Sequence, residues 1–156
     1  MKVLNIIHGS IVDGEGMRTS IYFAGCKHRC KGCHNPQSWD FNSGVEMSVN
    51  EIFEDIKKNN FNVTYSGGDP LYQNLSDLVS LSKRIHGIGL DIWLYTGFVF
   101  EKLLEDLKYK DILDNVDVIV DGPFIEEKKD LNLLFRGSSN QRILKKGNGN
   151  FVEVKY

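Results

Sequence analysis

The chain has 156 residues, 41% of them apolar and 26% charged, with a net charge of −2. That length carries a single domain, 1–156, with a real core, and the near-neutral balance excludes a general electrostatic affinity for nucleic acid or an anionic membrane. No apolar run approaches the ~18 residues of a membrane span, the start Met1-Lys2-Val3-Leu4-Asn5-Ile6-Ile7 is too soon interrupted for a signal peptide, and three clustered cysteines suit metal binding better than disulfides, so the expectation is a cytoplasmic metal-site protein.

In chain order, Val3 to Ile7 reads as a first strand and the glycine-containing stretch His8 to Ser20 as a loop. Ile21-Tyr22-Phe23-Ala24 is β-branched and aromatic, a strand that runs straight into the cysteines. His34 to Val45, with Asn35, Pro36, Asn42, Ser43 and Gly44, reads as loop. Ser48 followed by Glu51 predicts a helix with a capping box, and Ile52, Phe53 and Ile56 form its apolar face. Phe61 to Tyr65 is a strand ended by Ser66-Gly67-Gly68-Asp69-Pro70. A second helix is predicted from Ser76 or Asp77, with Leu78, Val79, Leu81, Ser82 and Ile85 inward and Gly87 and Gly89 as its stop.

Asp91 to Tyr95 is the next strand, ended by Thr96-Gly97, and a third helix carries Leu103, Leu104 and Leu107. Val116 to Val120 is a strand ended by Asp121-Gly122-Pro123. Ile143-Leu144 and Phe151 to Val154 suggest a hairpin turned between Lys146 and Asn150. Strands alternating with helices predict an α/β fold with a largely parallel sheet. About five or six βα units fit, whereas a closed eightfold barrel takes ~250 residues. The expected fold is therefore an incomplete TIM-type barrel, with a flavodoxin-like open sheet as the alternative. Ligands bind at the carboxyl ends of strands in either fold. Gly25-Cys26, Ser66 to Asp69, Thr96-Gly97 and Asp121-Gly122 all fall at such ends, which points to one site.

Every cysteine lies in Cys26-Lys27-His28-Arg29-Cys30-Lys31-Gly32-Cys33. One reading is a structural zinc site completed by His28 or His34. The other is an iron–sulfur cluster, which usually takes four cysteines, so that one iron is left for another ligand. Lys27, Arg29 and Lys31, with no acid among them, favour thiolates and offset the charge of a cluster. Ser66-Gly67-Gly68-Asp69-Pro70 reads as a tight turn, or, given its place, as exposed carbonyls and a carboxylate suited to a cationic amine. The four histidines are scattered, and Ser66, Ser138 and Ser139 lack the partners of a hydrolase.

Cys-x-x-x-Cys-x-x-Cys followed by a strand ending Gly-Gly-Asp resembles the radical S-adenosylmethionine (SAM) superfamily. The resemblance implies a 4Fe–4S cluster held by Cys26, Cys30 and Cys33, with its fourth iron chelating the amino and carboxylate groups of SAM. It assigns the SAM amine to Gly67, Gly68 and Asp69, and further cofactor contacts to Gly32, Cys33 and His34. Many members carry an aromatic where this chain has Gly32, so adenine must rest on backbone or on another ring.

Cys33-His34-Asn35-Pro36-Gln37-Ser38-Trp39, Trp93 to Gly97, Val120 to Phe124 and Arg136-Gly137-Ser138-Ser139-Asn140-Gln141 narrow the resemblance. They are similar to the activators of anaerobic (class III) ribonucleoside-triphosphate reductases, and Asp13 to Arg18 resembles their Gly-Pro-Gly-x-Arg with Glu15 in place of proline. Pyruvate formate-lyase activators and small radical SAM enzymes of deazapurine synthesis share the cysteines and glycines, but Arg136 to Gln141 argues against both. The resemblance implies an enzyme that installs a glycyl radical on the reductase large subunit, with reduced flavodoxin or a similar protein as electron donor. No side chain is assigned a catalytic role, since the cluster and SAM carry the chemistry.

Overall fold

The computed structural model describes residues Met1–Tyr156. Its strands are β1 (Lys2–Ser10), β2 (Arg18–Phe23), β3 (Val45–Glu46), β4 (Asn62–Gly67), β5 (Ile92–Tyr95), β6 (Val118–Asp121), β7 (Arg142–Gly147) and β8 (Asn150–Val154). They form one open sheet in the order β3-β1-β2-β4-β5-β6-β7-β8. The inner strands β2, β4, β5 and β6 are parallel, and antiparallel strands flank them on both sides.

The first flank corrects an expectation. His8 to Ser20 is not all loop: β1 continues to Ser10 and pairs antiparallel with β2, leaving Ile11–Met17 as the connection. His8 and Thr19 face each other there, with Nδ1 and Oγ1 3.0 Å apart. Val45, also expected in a loop, pairs with Val3 as part of the short edge strand β3. The other flank is the expected hairpin. Its two-residue turn, Asn148-Gly149, has φ of +49° and +83°, the signs that a type I′ turn requires at both positions.

The helices are α1 (Val49–Lys57), α2 (Leu75–Gly87), α3 (Phe100–Leu104) and α4 (Lys110–Asp114). The predicted capping box opens α1: Glu51 N–H donates to Ser48 Oγ at 3.1 Å, and Ser48 N–H to Glu51 Oε2 at 2.7 Å. α2 starts at Leu75, earlier than Ser76, because the Asn74 side chain caps it by accepting from Asp77 N–H at 3.0 Å. The single helix expected through Leu107 is broken. Asp106 Oδ1 accepts from Lys108 N–H at 3.1 Å and starts a separate 3-10 turn, Leu107–Tyr109. Such local side-chain bonds compete with helix propagation. Leu103 is buried, whereas Leu104 and Leu107 stand in solvent.

All four helices contribute to a core on one face of the sheet. Ile52, Ile56, Leu78, Leu81, Ile85, Leu103 and Ile112 meet Ile21, Phe23, Val63, Tyr65, Ile92, Leu94, Ile119 and Leu144. A doubly wound sheet would carry helices on both faces. Because side chains alternate along a strand, the residues between these point to the helix-free face. There Trp93, Val118, Val120 and Ile143 form a smaller cluster with Tyr95, Phe135 and Val154.

The connection Ile11–Met17 is tied to the strands by polar groups. Asp13 Oδ2 accepts from the hydroxyls of Ser10, Ser20 and Tyr22, each at 2.8 Å. Arg18 is fully buried. It donates to Thr64 Oγ1 at 2.8 Å, Val63 O at 2.7 Å and Glu15 O at 2.9 Å, and forms an ion pair with Asp91. A buried guanidinium persists because its N–H groups are matched in this way.

Candidate functional site

The four parallel strands end on the same edge of the sheet, and the residues that follow them meet. Cys26 after β2, Gly67 and Gly68 closing β4, Thr96 and Gly97 after β5, and Gly122 after β6 line one cavity of about 660 Å³. Cys30, Cys33 and His34 line it too. The size suits a small-molecule or cofactor site. All four strand ends singled out in the sequence are thus brought together.

None of the three thiols is in a disulfide; Cys26 is buried, and Cys30 and Cys33 are half-buried. The loop curls back on itself through Cys33 N–H donating to Cys30 O at 3.1 Å, and Asn35 N–H donates to Cys33 Sγ at 3.4 Å. Burial pushes the Cys26 thiol up, against the pull of the His28 and Arg29 backbone N–H groups; the Asp69 charge adds to the rise. Lys27, Arg29 and Lys31 point to solvent, with the Arg29 guanidinium over Trp39 at 5.5 Å and Lys31 3.6 Å from Glu126.

No three His, Cys, Asp or Glu side chains converge closely enough to hold a single metal ion. His28 is committed elsewhere, its Nε2 2.8 Å from Asp69 Oδ2. The imidazole of His28 is thus turned to Asp69 rather than to the thiols. Three separated thiols around one cavity fit a multi-iron cluster, whose metals are themselves spread apart.

Two expected cofactor contacts are placed differently. Gly32 does not line the cavity. Its φ is +77°, and a β-carbon there would lie 3.0 Å from the Glu126 carboxylate. A ring at this position would adopt a left-handed backbone and displace Glu126, which is the physical reason for glycine. Aromatic surface comes instead from His34, whose ring centroid lies 5.3 Å from that of Phe124, both of them on the cavity wall.

Asp69 is also off the wall, and completely buried. Its Oδ2 takes the Thr96 hydroxyl at 2.8 Å, Gly97 N–H at 2.9 Å and the His28 ring, and its Oδ1 takes Leu71 N–H at 3.0 Å. What faces the cavity from this motif is Ser66, Gly67 and Gly68. Gly67 has a φ of +100°, and a β-carbon on it would overlap the Phe23 backbone.

The stretch Arg136 to Gln141 forms another wall. Gln141 Oε1 accepts from Gly137 N–H at 2.9 Å and Ser138 N–H at 3.2 Å, while its Nε2 donates to Gly122 O at 3.1 Å. Arg136 Nη1 donates to Gln141 O at 2.6 Å, and Asn140 Nδ2 to Pro123 O at 2.7 Å. The motif is a self-braced loop latched to the end of β6. Tyr95 reaches it from the sheet, its hydroxyl donating to Phe135 O at 2.7 Å. No sequence signal marked Ile11 and Val12 on the cavity wall, nor the bond that commits His28 to Asp69; Thr96, expected at the site, lines the cavity.

An open α/β sheet with three free thiols at its parallel strand ends is the frame of a cluster-binding protein, and residues 12–144 match the family model of a 4Fe-4S single cluster domain. The anaerobic ribonucleoside-triphosphate reductase-activating protein of Haemophilus influenzae is 36% identical over 152 residues, covering 92% of this chain and 97% of that one. Proteins of the same name from Escherichia coli K12 and from Enterobacteria phage T4 are 37% and 38% identical, over 85% of this chain and 91% and 86% of theirs. The chain belongs to the family of anaerobic ribonucleoside-triphosphate reductase-activating proteins.

Proposed function

We propose that this chain is the enzyme that activates an anaerobic ribonucleoside-triphosphate reductase by generating a glycyl radical on its large subunit. Cys26, Cys30 and Cys33 would hold three irons of a 4Fe–4S cluster, leaving one iron for SAM. Given one electron by the donor, the loaded site would supply reductive cleavage of SAM to methionine and a 5′-deoxyadenosyl radical, and hydrogen transfer from the reductase glycine would leave 5′-deoxyadenosine and the glycyl radical.

The chain's own residues bind and orient. Carbonyls of Ser66, Gly67 and Gly68 receive the SAM amine, and the rings of His34 and Phe124 flank the adenine. Lys27, Arg29 and Lys31 offset the negative charge of the cluster and face the side from which an electron donor, reduced flavodoxin or a similar protein, approaches. The helix-free face and the open edge of the sheet leave room for a loop of the reductase. That opening is the functional sense of reading the fold as an incomplete barrel. No helix is long and apolar enough to cross a membrane, and we place the reaction in the cytoplasm, where its partners work.

The observation that carries this reading is the meeting of three free thiols with four strand ends around one cavity. Anaerobic incubation with SAM, dithionite and the reductase should yield a glycyl radical detectable by electron paramagnetic resonance. Cys30→Ala should abolish both the radical and the full cluster. A Cys30→Ala protein that still carries four irons and four sulfides (the content of a full cluster) and cleaves SAM would refute the ligand assignment.

A further inference from the structure

His28 sits midway between two of the thiols yet is tied to a different part of the chain. Its side chain is 18% exposed, and its Nε2 is 2.8 Å from Asp69 Oδ2. The ring lies edge-on to Phe98, with centroids 4.6 Å apart, and 5.5 Å from Tyr72. It also lies directly over Gly97, where a β-carbon would come within 2.5 Å of its Cδ2. Glycine at 97 is therefore the condition for the imidazole to reach Asp69.

Asp69 joins three segments. Its carboxylate receives His28 from the cysteine loop, and Thr96 Oγ1 and Gly97 N–H from the end of β5. Its own N–H donates to Gly25 O at 2.9 Å, immediately before Cys26, while Gly68 N–H donates to Phe23 O at 2.7 Å. The His28 bond is the one side-chain tie from within the Cys26 to Cys33 loop to this hub. The loop's other side-chain contacts run elsewhere: Lys27 lies over the Phe41 and Tyr72 rings, Arg29 over Trp39, and Lys31 pairs with Glu126.

From these contacts we infer that His28 is a positioning residue. Through its hydrogen bond to Asp69 it fixes the Cys26–Cys30 arc relative to the Gly67-Gly68 shelf, and so sets how the cluster's open iron faces the SAM amine. Asp69 then serves the site from behind, by holding the imidazole and the β5 end, rather than by touching SAM. The inference rests on the three-cysteine reading of the site and deepens it. An imidazole with hydrogen on Nε2 has the donor this bond needs, and a carboxylate acceptor makes the bond one of the stronger ones. Residues that orient ligands from the next layer out are worth on the order of tenfold to a hundredfold when removed.

Two substitutions separate the bond from the ring. His28→Phe keeps an aromatic against Phe98 and Tyr72 but removes the donor. His28→Gln places an amide N–H near the position of Nε2 and restores it. Each variant and the parent protein are reconstituted anaerobically. Iron and sulfide content, the electron paramagnetic resonance spectrum of the reduced cluster with and without SAM, and SAM affinity are then compared, with thermal melts of the unloaded proteins as a folding control.

His28→Phe should lose the spectral change that SAM produces in the parent, or lose cluster loading, and bind SAM about tenfold more weakly; His28→Gln should recover both. The inference is overturned if His28→Phe matches the parent in spectrum and affinity, or if His28→Gln is as impaired as His28→Phe. A parent protein that assembles no 4Fe–4S cluster would instead strike the cysteine reading, whatever the His28 variants do.

Discussion

The two faces of the sheet are made from alternate residues of the same strands and have opposite characters. On the helix side, Val63, Tyr65, Ile92, Leu94 and Ile119 are wholly buried in one continuous apolar cluster. On the helix-free side, Ser20, Tyr22, Thr64 and Tyr95 bring hydroxyls, and each is engaged by a loop. Asp13 collects Ser20 and Tyr22, Thr64 donates to Asp13 O at 2.7 Å, and Tyr95 holds Phe135. One face supplies the burial that makes the fold stable. The other, beside its smaller apolar cluster around Trp93, uses its polar side chains to fix the loops that wall the cavity. The division teaches where substitutions should affect folding and where they should affect binding.

Leu94 and Tyr95 are neighbours on β5 that face opposite ways, and they give the largest test of that division. Leu94→Ala should cost about 3 kcal/mol in urea unfolding, from lost transfer energy and the cavity left behind. Its SAM affinity, measured on folded protein, should stay at the parent value. If Leu94→Ala also weakens SAM binding tenfold, the two faces are not separable.

Tyr95→Phe should show the reverse pattern. Removing one neutral hydrogen bond costs only about 1 kcal/mol of stability. The Phe135 carbonyl loses its anchor, however, and with it the wall that begins at Arg136. Isothermal titration with SAM should show weaker binding than that of Leu94→Ala. Unchanged affinity would mean that the Gln141 bonds alone hold the wall.

The smallest effect is a pH dependence at the rim of the helix side. The Arg142 guanidinium, bonded to Glu101 on α3 at 2.7 and 2.9 Å, holds the Glu101 carboxyl down at about 2, from an ordinary value of 4.5. Because the folded value is the depressed one, this pair stabilises the protein fully above pH 4.5. That stabilisation is lost as the pH falls toward 2. The group is mostly exposed, so the loss should be roughly 0.5 kcal/mol. Chemical denaturation of parent and Glu101→Gln across this window should show the parent losing more. Equal slopes would show that the Arg142–Glu101 pair is not the source of the acid sensitivity.

Much of the frame was legible because it depends on short-range chain properties. The Ser48–Glu51 box, the strands ending in Gly-Gly-Asp and Thr-Gly, and the hairpin at Asn148-Gly149 all follow from residues within a few positions of each other. The misplaced segments fail for the same reason. Nothing between His8 and Ser20 announces a strand, because β1 is held there by partners on β2 rather than by its own apolar pattern. Leu104 and Leu107 continue a helical period, and the Asp106 cap breaks it regardless.

The site divides along the same line. Cysteine spacing alone put three thiols in one eight-residue window, and the strand-end glycines marked the edge where the cavity lies. Only the tertiary structure decided what the polar side chains nearby do. Asp69 is saturated by donors from Thr96 and Gly97, far along the chain, and by His28. Gly32 is turned away from the cavity, and Arg136 to Gln141 becomes a wall only by docking on Gly122 and Pro123. A hydrogen bond across dozens of residues leaves no periodicity in the sequence, because it is made by whatever folding brings into reach.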